Sequence, residues 1–264
     1  LPSAWPWEGK STPIDIIVLI GTVKGQLGVQ RMKTPLCTRL GIELPIVQAP
    51  MGGAGGPALA AAVCNAGGLG MLALWHADAD TMRRQIRETR ALTSRPFGMN
   101  LNLEFRQEKR LAVCLEERVP IISFFWRDPI DLVPRAKEGG AIVMHTVGSA
   151  ADAKRAVDAG VDIVIAQGWE AGGHVRGTVA TMPLIPAVVD AVSPAPVVAA
   201  GGIADGRGLA AALALGASGV WIGTRFLASN EAAIHPRYRE RILQADETDA
   251  IYLEDLFDVR WPNA

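Results

Sequence analysis

Three side chains able to do chemistry fall in one short stretch, Gln167-Gly-Trp-Glu-Ala-Gly-Gly-His174. An amide, a carboxylate and an imidazole in a glycine-rich loop after an apolar run form the kind of set that α/β enzymes present at the carboxyl ends of their strands. His174 is the residue type that exchanges a proton near neutral pH, which makes it the candidate base. A histidine in such a loop can equally donate to a backbone carbonyl. His145, ending another apolar run, competes for the catalytic place. Glu170 reads as a supporting or helix-facing charge rather than an acid catalyst. No His/Cys/Asp spacing suggests a metal site, and no Gly-x-Ser-x-Gly elbow suggests a hydrolase.

Two glycine turns bring a second kind of chemistry. Val197-Val-Ala-Ala-Gly-Gly202 and Val220-Trp-Ile-Gly-Thr224 are apolar runs ending in Gly201-Gly202 and Gly223-Thr224. Glycines at such ends let backbone N–H groups approach an anion closely, and Thr224 adds a hydroxyl, so a phosphate site is expected there. The same glycines could merely relieve crowding in tight turns. Gln48-Ala-Pro-Met-Gly-Gly-Ala-Gly-Gly56 is a third such end, where Gly52 leaves room for a flat ring and Met51 offers a polarisable surface. Asn100 and Asn102 share one face of a strand by the period-two rule, and an inward amide needs a partner. Amides, glycines and a phosphate turn together fit a flavin mononucleotide (FMN) pocket better than a sugar-phosphate pocket.

Positioning these groups requires a repeated strand–helix framework. From Glu43 onward, short apolar runs alternate with helical patterns, the signature of βα units and a parallel sheet. Strands are predicted at 44–49, 69–74, 97–102, 121–125, 141–146, 161–166, 196–200 and 219–223. Helices are predicted near 57–66, 78–92, 104–117, 131–138, 149–159, 183–192, 205–215 and 235–244. Ser149 and Asp205 are expected N-caps, Pro57 and Pro183 sit in first turns, and Gly160 and Gly216 follow helix ends. Eight strands and eight helices predict an α/β fold, a (β/α)₈ TIM barrel with its site at the C-terminal face of the strands. An open doubly wound sheet is the alternative. Residues 1–31 are expected to be a non-core extension and 32–264 the barrel domain, stopping short at its C-terminal end.

The 264 residues carry 26 basic and 27 acidic side chains, a balance that gives no nucleic-acid footprint. No apolar run approaches the roughly 18 residues of a membrane span. Three cysteines without paired spacing fit a reduced, cytoplasmic setting.

Five motifs, in order, carry a family resemblance: Gln48-Ala-Pro-Met51, Phe97-Gly-Met-Asn100, Gln167 to His174, Ala200-Gly-Gly-Ile203 and Gly223-Thr-Arg-Phe226. Together they resemble the nitronate monooxygenase family, formerly 2-nitropropane dioxygenases, over about residues 35–245. The resemblance implies a TIM barrel binding FMN and oxidation of nitronates or nitroalkanes by O₂ to carbonyl compounds and nitrite. It implies cofactor contacts from Met51, Gly52, Asn100, Gln167, Gly172, Gly173, Gly201, Gly202, Trp221, Ile222, Gly223 and Thr224, with His174 as catalytic base. Trp221 stands where the family commonly has a smaller or polar residue, so only its backbone is expected at the phosphate. A homodimer is one assembly open to such a chain. FMN-dependent enoyl-acyl-carrier-protein reductases and NAD(P)H:quinone reductases share the scaffold. A non-catalytic phosphate-ligand-binding barrel is the reading from another class.

Overall fold

The computed structural model describes residues 33–253; the proposed extension, 1–31, lies outside them. Eight parallel strands follow the order of the chain around a barrel: β1 (Ile46–Gln48), β2 (Met71–Ala73), β3 (Gly98–Asn102), β4 (Ile121–Phe125), β5 (Ile142–Val147), β6 (Ile163–Gln167), β7 (Val197–Ala200) and β8 (Gly219–Ile222). β1 pairs with β8, and every other strand pairs with its successor except β1 with β2. That seam is closed by the Val47–Leu69 bridge and by the buried Gln48, whose Oε1 accepts from Met71 N at 3.0 Å. The predicted (β/α)₈ barrel is the fold, and the doubly wound alternative is not.

The period-two alternation of the strands divides the apolar residues in two. Leu72, Ile122, Val143 and Val164 pack outward with helical residues such as Met82, Leu111 and Leu184. Their neighbours Met71, Ile121, Met144 and Ile163 fill the barrel interior. The eight predicted helices are present as α2 (Pro57–Asn65), α3 (Ala79–Leu92), α4 (Glu108–Glu116), α5 (Val133–Glu138), α6 (Ala150–Asp158), α7 (Thr181–Val192), α8 (Gly206–Ala214) and α10 (Pro236–Gln244). Ser149 and Asp205 accept from backbone N–H groups of the first turns of α6 and α8, and Pro57 opens α2.

Two helices lie outside the sequence pattern. α9 (Thr224–Leu227) is a single turn directly after β8. α1 (Pro35–Leu40) begins on Thr34, whose hydroxyl accepts from Cys37 N, with Pro35 in its first turn. α1 closes the barrel's N-terminal end, because Leu36, Cys37 and Leu40 are buried among the interior strand residues. Full burial of one such leucine contributes about 1.5–3 kcal/mol, so this short plug is a substantial part of the barrel's floor. No helix among the described residues is long and apolar enough to cross a membrane.

Candidate active site at the barrel mouth

The loop that follows β6 is held at several points. Gln167, the last residue of that strand, commits both ends of its amide to it: Nε2 donates to His174 O at 2.9 Å, and Oε1 accepts from Arg176 N at 3.2 Å. Glu170 is more than a stray charge. α7 has Ala180 at its N-cap position with no side-chain cap, and the Glu170 carboxylate accepts instead from Thr181 N, at 3.1 and 3.2 Å. The Thr181 hydroxyl in turn donates to Ala200 O and Gly201 O, joining this loop to the end of β7.

A third restraint lies beyond His174. Arg176 pairs with Asp128 of the β4–α5 loop at 3.3 Å and with Asp152 of α6 at 3.7 Å, and Arg155 also pairs with both carboxylates. Gly177 then lies directly on Gly148. A Cβ at Gly148 would stand 2.7 Å from Gly177 Cα, so only two glycines let these backbones meet. His174, half-buried, is thus carried on a loop whose two ends are fixed to β6, α6 and the β4 loop.

Beside His174 lies an aromatic wall that the sequence pattern alone does not single out. The rings of Trp126 and His174 are 5.8 Å apart in an edge-on arrangement, and Phe125 lies 4.8 Å from Trp126. Farther round the rim, Trp75 after β2 stacks on Phe105 after β3 at 5.1 Å. These aromatics lie at or just after the ends of three consecutive strands, β2, β3 and β4. A run of three aromatics closing an apolar strand, Phe124-Phe-Trp126, is the signal by which the first could have been found.

The opposite rim is made of glycine. Gly201 and Gly202 have φ of +112° and +64°, the left-handed region that side chains avoid. A Cβ at Gly201 would also meet the Thr181 hydroxyl, and one at Gly172 would stand 2.7 Å from Thr224 Oγ1. A Cβ at Gly223 would lie 3.9 Å from Met51 Sδ, and one at Gly52 would lie 3.7 Å from Trp75 Nε1. Thus the turns after β1, β6, β7 and β8 converge, bringing Met51, Gly172, Gly201, Gly202, Gly223 and Thr224 to one side of the mouth. Asp205 caps α8 with its own carboxylate, which accepts from Arg207 N and Gly208 N.

The remaining sequence candidates fall into place differently. Asn100 donates through Nδ2 to Ser123 Oγ at 2.8 Å, so the part of that amide able to serve a ligand is its carbonyl oxygen. Asn102 accepts from Glu104 N at 2.9 Å and shapes its own turn. Trp221 aligns with Ala200 of β7, and its ring packs on the interior cluster; Ile222 packs outward. Gly173, at φ +82°, has open space around it.

His145 does not reach the mouth. It alternates with the interior residue Met144 and therefore faces outward from β5, fully buried, with Nδ1 3.1 Å from Phe124 O. Burial, reinforced by the nearby Arg176 guanidinium, lowers its pKa to about 4. A neutral histidine behind the wall cannot compete with His174 for a substrate. Among the described residues no group of His, Cys, Asp or Glu is arranged to hold a metal.

Comparison with known proteins agrees with this geometry. The nitronate monooxygenase family model matches residues 33–109 and 102–260. The chain belongs to the nitronate monooxygenase family. It is 38% identical over 263 residues to the nitronate monooxygenase of Paraburkholderia phytofirmans, covering 81% of this chain and 71% of that protein. It is 43% identical over 218 residues to a Mycobacterium tuberculosis enzyme named (3aS,4S,5R,7aS)-5-hydroxy-7a-methyl-1-oxo-octahydro-1H-indene-4-carboxyl-CoA dehydrogenase, covering 81% of this chain. The match spans 61% of that dehydrogenase's length. Among solved structures, FabK from Thermotoga maritima superposes with a TM-score of 0.78 at 45% identity, over 81% of this chain and 68% of that one.

Proposed function

We propose that this family member is an FMN-dependent oxidoreductase that oxidises alkyl nitronates, and nitroalkanes after removal of their α-proton, to carbonyl compounds and nitrite. The observation that carries the reading is His174, held at the barrel mouth between the aromatic wall and the glycine rim. The glycine turns after β6, β7 and β8 fit a phosphate because backbone can approach where no side chain fits, and Thr224 offers a hydroxyl there. Met51, by its thioether, and Asn100, by its carbonyl oxygen, would be this chain's contacts to the flat ring of that group. FMN, when bound, supplies the redox chemistry.

The chain's own contribution is proton transfer and positioning. His174 takes the α-proton of a nitroalkane, and the bonds from Gln167 to the His174 carbonyl and from Arg176 N to Gln167 hold the loop while it does so. His174→Asn is expected to lose activity on neutral nitroethane far more than on preformed ethylnitronate, which needs no base. Equal losses on both would overturn the base assignment.

A second reading rests on one observation, the greater identity to a dehydrogenase whose name specifies a carboxyl-CoA substrate. The same base would then act on the carbon beside a thioester carbonyl. Anaerobic reduction of the flavin-loaded protein by ethylnitronate, by an acyl-CoA, by NADH and by NADPH separates the two readings and the reductase alternatives. Rapid reduction by ethylnitronate alone is the expected result.

A further inference from the structure

Trp126 has a backbone conformation that its residue type resists. Its φ is +77°, and a bulky L-residue in that region carries strain of order 1–3 kcal/mol. The strain persists only where the surroundings over-determine it. They do so here on the C-terminal side: Arg127 pairs with Glu104 of the β3 loop at 2.8 Å, and Asp128 pairs with Arg176 at 3.3 Å. Core packing does not require the indole, for Trp126 is half-buried and joins none of the three hydrophobic clusters. What the twisted backbone achieves is placement. The indole turns out of the line of β4, backed by Phe125, and sets its ring 5.8 Å from that of His174 at an interplanar angle of 61°. The β4 loop and the β6 loop are therefore joined twice, by Asp128–Arg176 and by Trp126–His174.

We propose that Trp126 is a positioning residue for His174: its ring, held by a strained turn, fixes the imidazole's orientation and screens one of its sides from water. This rests on His174 being the base. The indole acts on the rate of proton removal through His174 and leaves the substrate's binding nearly unchanged. A glycine would relieve the strained turn, yet it would remove the ring that the turn exists to place.

The test uses the flavin-loaded protein with Trp126→Phe, Trp126→Ala and Trp126→Gly. Loss of the ring should lower kcat on nitroethane by one to two orders of magnitude, the scale set by misplacing a catalytic group by about 1 Å. KM and the rate on preformed ethylnitronate should stay near those of the unaltered protein, and Trp126→Phe should recover most of the loss. A readout free of turnover is the rate at which diethylpyrocarbonate modifies His174, followed by peptide mass spectrometry: several-fold faster in Trp126→Ala, near the unaltered rate in Trp126→Phe. Trp126→Gly should melt no lower than Trp126→Ala, since only glycine is unstrained at this φ. An unchanged modification rate in Trp126→Ala, or equal losses on nitroethane and ethylnitronate, overturns the positioning role. His174→Asn distinguishes the two failures. If it spares ethylnitronate while Trp126→Ala spares both substrates, the base stands and the positioning inference falls; if His174→Asn loses both equally, the base reading itself is wrong.

Discussion

Gly148→Ala tests whether the His174 loop is held by backbone contact. The new Cβ would lie 2.7 Å from Gly177 Cα and 2.8 Å from Gly177 N, both backbone atoms that no rotamer change can clear. Carbon atoms settle about 3.5–4.0 Å apart, so the loop must retreat from β5 by roughly 0.8–1.3 Å. Gly177 is only three residues from His174, and the intervening Arg176 is already tied to two carboxylates. Overpacking of this kind costs about 1–3 kcal/mol. In a domain of this size each kcal/mol lowers Tm by about 2–4 °C, giving a fall of roughly 2–12 °C by scanning fluorimetry. A displacement near 1 Å at the base costs about 100-fold in turnover, read as oxygen uptake with nitroethane. Gly139→Ala provides the control. Its Cβ would meet the Leu115 side chain at 2.6 Å, a clash with a side chain that can turn aside, at the end of α5, away from the mouth. It should lower Tm less than Gly148→Ala does and leave turnover intact. If Gly148→Ala keeps the unaltered Tm and rate, the contact between these glycines does not fix the loop, and His174 must owe its placement to other restraints.

Two further perturbations probe stability. Glu170→Ala removes the carboxylate that accepts from Thr181 N at the start of α7. It should cost about 1 kcal/mol, seen as a lower urea midpoint with an unchanged m-value. His145 is buried with its pKa lowered to about 4, below the ~6.5 of an unfolded chain. Between those values the unfolded state binds a proton that the native state refuses, so stability is intact above about pH 6.5 and declines as pH falls toward 4. The full loss is on the order of 3 kcal/mol, 2.5 pH units at about 1.36 kcal/mol each. His145→Leu should flatten that slope in urea titrations between pH 7.5 and 4.5; an identical slope in the variant would show that other groups carry it.

The barrel is legible in the sequence because its determinants are local. Apolar runs, caps such as Ser149 and Asp205, and glycines after helices each announce themselves within a few residues, and every predicted strand is present within about two residues of its expected bounds. α1 escapes such a reading because its reason is distant: six residues form a helix there because Leu36 and Leu40 fill the floor of a barrel built by strands much later in the chain. The site shows the same division. Gly201, Gly202 and Gly223 can be read from their turns. His145 cannot be placed from sequence, which locates it at the end of a strand, whereas its direction depends on which parity faces inward. Trp126 shows locally only as the end of an aromatic run and Arg176 shows nothing, because their meaning lies in partners, His174 and Asp128, that no spacing rule connects.

Gln167 is the residue for which resemblance and geometry make different demands. The resemblance assigns its side chain to FMN. In the structure that amide bonds at both ends within its own loop, one N–H donating to His174 O at 2.9 Å and the oxygen accepting from Arg176 N at 3.2 Å. An amide with both ends occupied by its own loop serves a ligand chiefly by placing the groups around it. Gln167→Glu separates the roles. It keeps the acceptor for Arg176 N but replaces the donor with an oxygen facing the His174 carbonyl, which leaves a lost bond and a repulsion at the base itself. Removing one hydrogen bond of this kind costs about 0.5–1.5 kcal/mol, and more where a partly buried acceptor loses its partner. If the amide's work is to hold the loop, this variant retains flavin, measured by absorbance after gel filtration, while turnover on nitroethane falls and that on ethylnitronate survives. If its work is a direct contact, flavin is lost first and both substrates fail together. The two bonds favour the former outcome, because holding the His174 loop leaves a ligand only the amide's second N–H and second oxygen lone pair.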